Sequence, residues 1–116
     1  MGNILVKVHE SYRWVVAVCD ADVFGRKLID SDVGSRESVV GGSNATGRVL
    51  DVSGEFFNGK EMSVEEAEAE IVRCVNEDAT FNFIGKRSVE LAKIMGIVKD
   101  EGVVEIDGVP FALVLM

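Results

Sequence analysis

Residues 63–115 have the sequence SVEEAEAEIVRCVNEDATFNFIGKRSVELAKIMGIVKDEGVVEIDGVPFALVL, which contains most of the secondary-structure signals of this chain. Ser63 and Glu66 have the spacing of a capping box, in which each side chain satisfies a backbone N–H group of the first helical turn. Acidic residues are concentrated in the first half of residues 64–75 and Arg73 lies near the end, which is the charge distribution that the helix dipole favours. This pattern predicts an amphipathic helix whose buried face contains Ala67, Ile71, Cys74 and Val75.

A second helix is predicted after the polar break at residues 76–78, with its start near Asp78 or Asn82. Apolar residues recur there at spacings that place them on one helical stripe, namely Phe81, Ile84, Leu91, Ala92 and Met95. Gly96 is expected to end this helix as a left-handed cap, with Ile97 and Val98 contacting the last turn.

The last part of the chain predicts a closing hairpin. Asp107-Gly108 is a strong signal for a two-residue turn, and it separates two apolar runs, residues 103–106 and 109–115. Because Pro110 has no backbone N–H group, we expect the return strand to lie at an edge of the sheet.

The first half of the chain predicts mainly strands. Residues 4–8 and 13–19 are apolar runs around a short polar segment, which favours a hairpin, and the unbroken run Val15-Val16-Ala17-Val18 indicates a strand buried on both faces. Residues 20–29 predict one or two helical turns capped by Asp20 or Asp22. Residues 48–52 predict a further strand.

Two segments between these elements predict loops. Residues 30–47 are rich in Ser, Gly, Asp and Asn, so we expect a flexible insertion that contains a brief strand at Val39-Val40. Residues 55–59 predict a turn in which Phe56 and Phe57 close one end of the core.

Together these elements predict one domain over residues 1–116, of the α/β class and the α+β type. We expect a mostly antiparallel sheet of hairpins packed against two main helices. A length of 116 residues is that of a single domain with one core, and a hydrophobic content of 47% is too high for a disordered chain.

The charge and the cysteines restrict the class of function. A net charge of -8 repels phosphate backbones at long range, so duplex DNA is an unfavourable partner. A local basic patch remains compatible with this charge, because five cationic residues could cluster in space, namely Arg26, Lys27, Arg48, Lys86 and Arg87. No apolar run has the length that a membrane-spanning helix needs, and no secretory signal precedes the first strand, so we expect a cytoplasmic protein without membrane contact. Cys19 and Cys74 both lie in apolar stretches and are expected to be reduced core thiols.

Two motifs suggest small-ligand sites that we do not adopt. Residues 54–60 have the glycine and lysine spacing of a phosphate loop, but Glu61 follows where a hydroxyl residue should bind magnesium. Strand-end carboxylates could converge as a cation site, namely Asp20, Asp22, Asp51 and Glu55, although such residues are more often solvated. We therefore predict no metal and no cofactor.

The stronger candidate is the segment Phe83-Ile84-Gly85-Lys86-Arg87-Ser88, with Asn82 beside it. A glycine and two cations at a helix start bring backbone donors, the helix dipole and positive charge together. This combination commonly receives an anion or an RNA phosphate. We therefore predict a binding patch formed by Asn82, Gly85, Lys86, Arg87 and Ser88.

Four stretches resemble the archaeal family called domain of unknown function 424. They are residues 15–20, LDVSGEFF at 50–57, FIGKRSVELA at 83–92 and DGVP at 107–110. The resemblance implies an archaeal, cytoplasmic, single-domain α/β protein with no assigned reaction, ligand or catalytic residue. Residues 30–47 look like an insertion in this member, and Phe111 stands where related chains continue with a histidine.

Two hypotheses for function remain, and the sequence does not establish whether the protein is an enzyme. The favoured one is a non-enzymatic binding or accessory module that contacts RNA, or a protein of a ribonucleoprotein, through Lys86 and Arg87. The alternative is a small enzyme, or a small-molecule or metal-binding protein, with a pocket built from Asp51, Glu55, Lys86 and Ser88. The alternative requires that these four side chains converge on one concave pocket.

Overall fold

The computed structural model describes residues 3–30 and 48–115, which form an α+β domain as the sequence predicts. Residues 1–2, 31–47 and 116 lie outside this range. The predicted flexible insertion at residues 30–47 therefore lies outside it except for Asp30, which ends a strand, and so does the predicted strand at Val39-Val40. The described elements are β1 Ile4–His9, β2 Val15–Asp20, β3 Lys27–Asp30, β4 Arg48–Asp51, β5 Lys60–Met62, α1 Val64–Val75, β6 Thr80–Ile84, α2 Lys86–Ile94, β7 Val104–Ile106 and β8 Val109–Val114. Short 3-10 turns occur at Glu55–Phe57 and Asp100–Gly102.

Six of the strands form one sheet in the order β5-β1-β2-β6-β8-β7. Every neighbouring pair is antiparallel except β2 and β6, which run parallel at the centre. The predicted hairpin of β1 and β2 is confirmed, with Ile4 opposite Asp20 and His9 opposite Val15. The parallel pair matters for the candidate site, because it brings the carboxyl ends of β2 and β6 to the same edge of the sheet.

The two faces of the sheet are covered by different layers. Both helices pack on one face, around Val16, Val18, Phe81 and Phe83. On the other face a two-stranded sheet of β3 and β4 covers a second cluster, which contains Ala17, Cys19, Leu28, Val52, Phe57 and Ile84. Strand β2 is therefore buried on both faces, as its unbroken apolar run predicts.

Residues 20–29 differ from the prediction. They form a turn over residues 21–25 and then strand β3, where one or two helical turns were expected. Leu28 is fully buried against the second face of the sheet, and strand β4 provides its pairing partner at Leu50. Tertiary pairing overrides the weak helical preference of this short segment.

Helix α1 begins as the sequence predicts. The Glu66 N–H donates to the Ser63 hydroxyl over 3.2 Å, and the Ser63 N–H donates to the Glu66 carboxylate over 3.0 Å, which completes the capping box. Three of the four predicted buried positions, Ala67, Ile71 and Cys74, are fully enclosed, and Val75 is partly buried against the same core. The cap therefore defines the start of this helix, and its apolar face packs against the core.

Replacing Ser63 with alanine should lower the free energy of unfolding by about 1 kcal/mol, because the helix loses its side-chain cap. Urea unfolding followed by the fluorescence of Trp14, the single tryptophan, measures this loss. Ser53→Ala is the matched control, since the Ser53 hydroxyl donates to Asp51 within an exposed loop and its loss should change stability by less than about 0.5 kcal/mol. Equal losses in the two variants would contradict a capping role for Ser63.

The second helix starts later than predicted. Residues 80–84 form strand β6, and α2 begins only at Lys86, so Phe81 and Ile84 lie on a strand. Phe81 and Phe83 point to the helical layer while Ile84 points to the opposite layer, which is the two-residue period of a strand. The spacing from Phe81 to Ile84 matches a helical stripe by coincidence, because both faces of β6 are covered.

The predicted end of α2 is confirmed. Gly96 has a φ of +79°, and the Ile97 N–H donates to the Ala92 carbonyl over 2.9 Å. Ile97 and Val98 then pack against the main core, as expected for this type of cap. Among the described residues, neither helix has the length and apolar character needed to cross a membrane.

The closing hairpin is also confirmed, but Pro110 does not lie on an edge strand. Asp107 and Gly108 both have positive φ values, 55° and 76°, and β8 lies between β6 and β7. Gly85 is the residue opposite Pro110. Its N–H donates to the Pro110 carbonyl over 2.9 Å, while its own carbonyl accepts the Val89 N–H as α2 starts. The Gly85 carbonyl is therefore paired even though Pro110 has no N–H to donate to it.

Candidate functional site

The carboxylate of Asp20 lies at the end of β2 and caps the first turn of α2. It accepts hydrogen bonds from the Arg87 N–H over 3.0 Å, from the Ser88 N–H over 2.8 Å and from the Ser88 hydroxyl over 2.8 Å. The parallel pairing of β2 and β6 produces this contact, because α2 follows β6 at the same edge of the sheet. Gly85, at the N-cap position, has no side chain that could cap the helix itself.

Asp20 is only 2% exposed, and its charge is compensated in two ways. The positive end of the α2 dipole faces it, and the Arg87 Nη1 lies 3.7 Å from its Oδ2. The same Nη1 lies 3.5 Å from the Oδ2 of the exposed Asp22. Burial, together with Asp20 and Asp22, raises the pKa of the neighbouring Cys19 thiol to about 12, which disfavours its thiolate form at neutral pH.

Gly85 permits the close approach between the strand end and the helix start. It has a φ of +110°, and a Cβ atom at this position would lie 2.3 Å from the Cγ of Asp20. Glycine is the residue that combines this backbone conformation with the absence of a side chain. The capping contact of Asp20 and the glycine at residue 85 therefore depend on one another.

A surface cleft of about 490 Å³ opens beside this contact. Three cationic side chains line it: Arg26, which precedes β3, and Lys86 and Arg87, which begin α2. All three residues are exposed. Asp22 and the Asp107-Gly108 turn also line it, so the cleft carries charges of both signs.

The structure places four of the predicted site residues, Gly85, Lys86, Arg87 and Ser88, at this position, but in different roles. Lys86 and Arg87 line the cleft, whereas Gly85 and Ser88 are buried beside Asp20. The backbone donors of Arg87 and Ser88, which we expected to receive an anion, are directed at Asp20 instead. An external anion would therefore meet the side-chain cations and not the free end of the helix.

The other predicted residues do not line this cleft. Asn82 is half-buried in the middle of β6, paired with Ala17 and Leu113. Asp51 is exposed at the end of β4, where its hydrogen bonds from the Ser53 hydroxyl and N–H lower the pKa of its carboxyl group. Glu55 is exposed at the start of a 3-10 turn.

The pocket of the alternative hypothesis is not assembled. Of its four residues only Lys86 lines the cleft, and the hydroxyl of the fully buried Ser88 donates to Asp20. Nor do the four carboxylates considered for a cation come together. Among residues 3–30 and 48–115, no three side chains of the metal-ligating types are grouped closely enough to hold an ion.

Sequence reasoning did not give Asp20 and Asp107 their roles in the site. Asp20 was assigned as a cap for the segment that follows it, whereas it caps a helix 67 residues later. Asp107 was assigned to a turn alone, although the structure places it at the cleft. Arg26 was named as one of several basic residues that could cluster in space, and the structure brings it beside Lys86 and Arg87. The signal that could have identified Asp20 is a carboxylate at the end of a strand buried on both faces, because a buried charge needs partners.

Comparison with known proteins supports the fold and the family. A crystal structure of an uncharacterized conserved protein from Methanopyrus kandleri superposes with a TM-score of 0.72 at 23% sequence identity, covering 97% of this chain and 92% of that chain. At this identity the likeness shows the fold alone. No curated protein sequence matches the chain. The model of the family DUF424, described as a protein of unknown function, matches residues 8–116, so the chain belongs to the DUF424 family.

Proposed function

We propose that this protein is a non-enzymatic binding module that contacts single-stranded RNA through the cleft at the start of α2. The observation that carries the proposal is the grouping of Arg26, Lys86 and Arg87 around one opening. Guanidinium and ammonium groups from two separate segments of the chain can contact neighbouring phosphates of one strand. The proposal includes a cytoplasmic location, with which the two free, buried cysteines are in keeping.

The charge balance of the cleft restricts the kind of RNA. Asp20 contributes little negative potential to the opening, because three hydrogen-bond donors and the α2 dipole face its carboxylate. Asp22 and Asp107 remain exposed, and the whole chain has a net charge of -8. These charges disfavour a long duplex, which presents many phosphates at once, and favour a local contact with a few phosphates of a single strand.

The small-enzyme alternative has weaker support. Its proposed hydroxyl group, that of Ser88, is shielded from solvent and already donates to Asp20. Cys19, the nearest thiol, is buried and has a strongly raised pKa. A reaction at this cleft would have to use the charged side chains alone.

Reversing the charges of Arg26 and Lys86 together, as R26E/K86E, should weaken binding of a short fluorescein-labelled single-stranded RNA by about tenfold or more. The slope of log Kd against log salt concentration should fall by about 1.4, because two fewer phosphates are neutralised and each contributes about 0.7 on a single strand. Fluorescence anisotropy with the full chain measures both quantities. Arg87 is kept, since its side chain also contacts the buried Asp20.

The matched control is K60E/K99E, which changes the net charge by the same amount at two exposed lysines outside the cleft. The loss of binding free energy in this control should be at most half of the loss in R26E/K86E. Equal weakening by both variants would mean that only the net charge matters, and it would overturn the assignment of the cleft. No binding of the unmodified protein to any single-stranded RNA would overturn the proposal itself.

A further inference from the structure

A second cleft of about 360 Å³ lies near the opposite end of β2, between the β1–β2 loop and the end of α1. Its lining residues are Tyr12, Arg13, Trp14, Glu77 and Asp78. Tyr12 is fully exposed at the tip of the hairpin, and Trp14 is half-buried where β2 begins. Two aromatic side chains and two carboxylates thus surround one opening that the proposed RNA contact does not use.

The position of the two carboxylates is unfavourable for the helix. Glu77 and Asp78 follow the C-terminal end of α1, where the helix dipole already provides negative potential and favours cations. Asp78 also has a φ of +58°, a left-handed conformation that aspartate and asparagine adopt more readily than most other residues with a side chain, and asparagine would adopt it without the charge. Negative charge is therefore concentrated at a point where helix stability alone would select against it.

The same end of the molecule already holds one guanidinium group. The Arg73 guanidinium lies 5.5 Å from the centroid of the Trp14 ring, while its Nη2 forms an ion pair with Glu70. An aromatic ring combined with a carboxylate is a common receptor for a cationic side chain. The second cleft presents the same combination with Tyr12, Glu77 and Asp78.

Arg13 does not neutralise this cleft. Among the described residues, no ion pair within 4.0 Å joins Arg13 to Glu77 or to Asp78, although all three line the opening. Its charge opposes the entry of another cation without cancelling the two carboxylates. The cleft thus keeps an excess of negative charge on a protein whose net charge is already -8.

We propose that the cleft lined by Tyr12, Trp14, Glu77 and Asp78 docks an arginine or lysine side chain from a basic segment of a partner protein. Charge complementarity selects this occupant, because the carboxylates and the end of the α1 dipole attract cations and repel RNA phosphates. The exposed ring of Tyr12 provides an aromatic contact of the kind that dominates many protein interfaces. This surface lies near the end of β2 opposite to Asp20, so it is independent of the proposed RNA contact.

The probe is an oligoarginine peptide without aromatic residues, titrated into the full chain while the fluorescence of Trp14 is recorded. Because Trp14 is the single tryptophan and lines the cleft, a saturable change reports binding at this position. The double variant E77Q/D78N should weaken binding about fivefold. Asparagine tolerates the left-handed conformation at residue 78, so the backbone is retained.

The chain offers a closely matched control, E105Q/D107N. It also neutralises two exposed carboxylates, and Asp107 has a φ of 55°, nearly the value at Asp78. This control should bind the peptide as the unmodified chain does, and R26E/K86E should bind it at least as tightly. Equal weakening by E77Q/D78N and E105Q/D107N would overturn the assignment of the cleft.

Two single variants at the cleft should change the affinity for the peptide in opposite directions. Tyr12→Ala removes a fully exposed ring and should weaken binding of the peptide about threefold, because the cation–π contact is lost. Arg13→Gln removes the competing cation and should tighten binding about twofold. No saturable change with the peptide, or unchanged binding of the peptide by both Tyr12→Ala and Arg13→Gln, would overturn the proposal.

Discussion

Replacing Asp20 with alanine should lower the free energy of unfolding by roughly 3 kcal/mol or more, the largest effect that we expect from any exchange of a polar side chain. The substitution leaves the N–H and hydroxyl groups of Ser88 without an acceptor inside the protein, and it also removes the acceptor of the Arg87 N–H. The desolvation energy recovered from the carboxylate offsets only part of this loss, because the helix dipole and Arg87 already compensate its charge.

Urea unfolding monitored by Trp14 fluorescence measures the loss for Asp20→Ala. Asp20→Asn keeps the shape but turns one acceptor into a donor that faces the Arg87 N–H, so its loss should be intermediate, about 1 to 2 kcal/mol. Asp22→Ala is the control. That side chain is 70% exposed, and its contact with Arg87 should be worth less than about 0.5 kcal/mol. If Asp20→Ala and Asp22→Ala were equally stable, Asp20 would not be the cap that holds α2.

Replacing Gly85 with alanine should lower the free energy of unfolding by roughly 3 kcal/mol or more. The added Cβ would lie 2.3 Å from the Cγ of Asp20 and 2.6 Å from its Oδ2, and the φ of +110° is unfavourable for any residue with a side chain. The strand end and the helix start would have to separate, so the hydrogen bonds to Asp20 would weaken as well.

The same urea experiment measures this loss, with Gly54→Ala as the control. A Cβ at Gly54 meets no atom within 4 Å, and its φ of -88° suits alanine, so stability should stay the same or rise by up to about 1 kcal/mol. Because Asp20 and Gly85 are in contact, we also expect the loss for Gly85→Ala to be smaller in the Asp20→Ala background. Strictly additive losses would contradict the direct contact between the two residues.

The signals that predicted the fold correctly act over a few residues. The Ser63 cap, the left-handed Gly96 and the Asp107-Gly108 turn all depend on hydrogen bonds and backbone preferences within about one turn of chain. Because such interactions involve only residues that are close in the chain, the sequence identified the start of α1, the end of α2 and the closing hairpin. The α+β class followed from the order of these elements.

The start of α2 and the place of Pro110 were predicted incorrectly because each depends on contacts outside its own segment. Strand β6 has only five residues, and after the alternation of Phe81, Asn82 and Phe83 the apolar Ile84 faces the opposite layer, so the spacing of its apolar residues also matches a helical stripe. Pro110 is tolerated between two strands because Gly85, opposite to it, has already left the sheet to begin α2. Neither fact is visible in a short window of sequence.

By itself the sequence determined the class of fold, the start of α1, the end of α2, the closing turn, the charge balance and the presence of Lys86 and Arg87 at a helix start. Only the tertiary structure decided how these parts meet. It directs the α2 donors at Asp20 and adds Arg26 and Asp107 to the cleft. It also leaves Asp51 and Glu55 outside the cleft. The physical reason is the parallel pairing of β2 with β6, which joins residues more than sixty positions apart at one edge of the sheet.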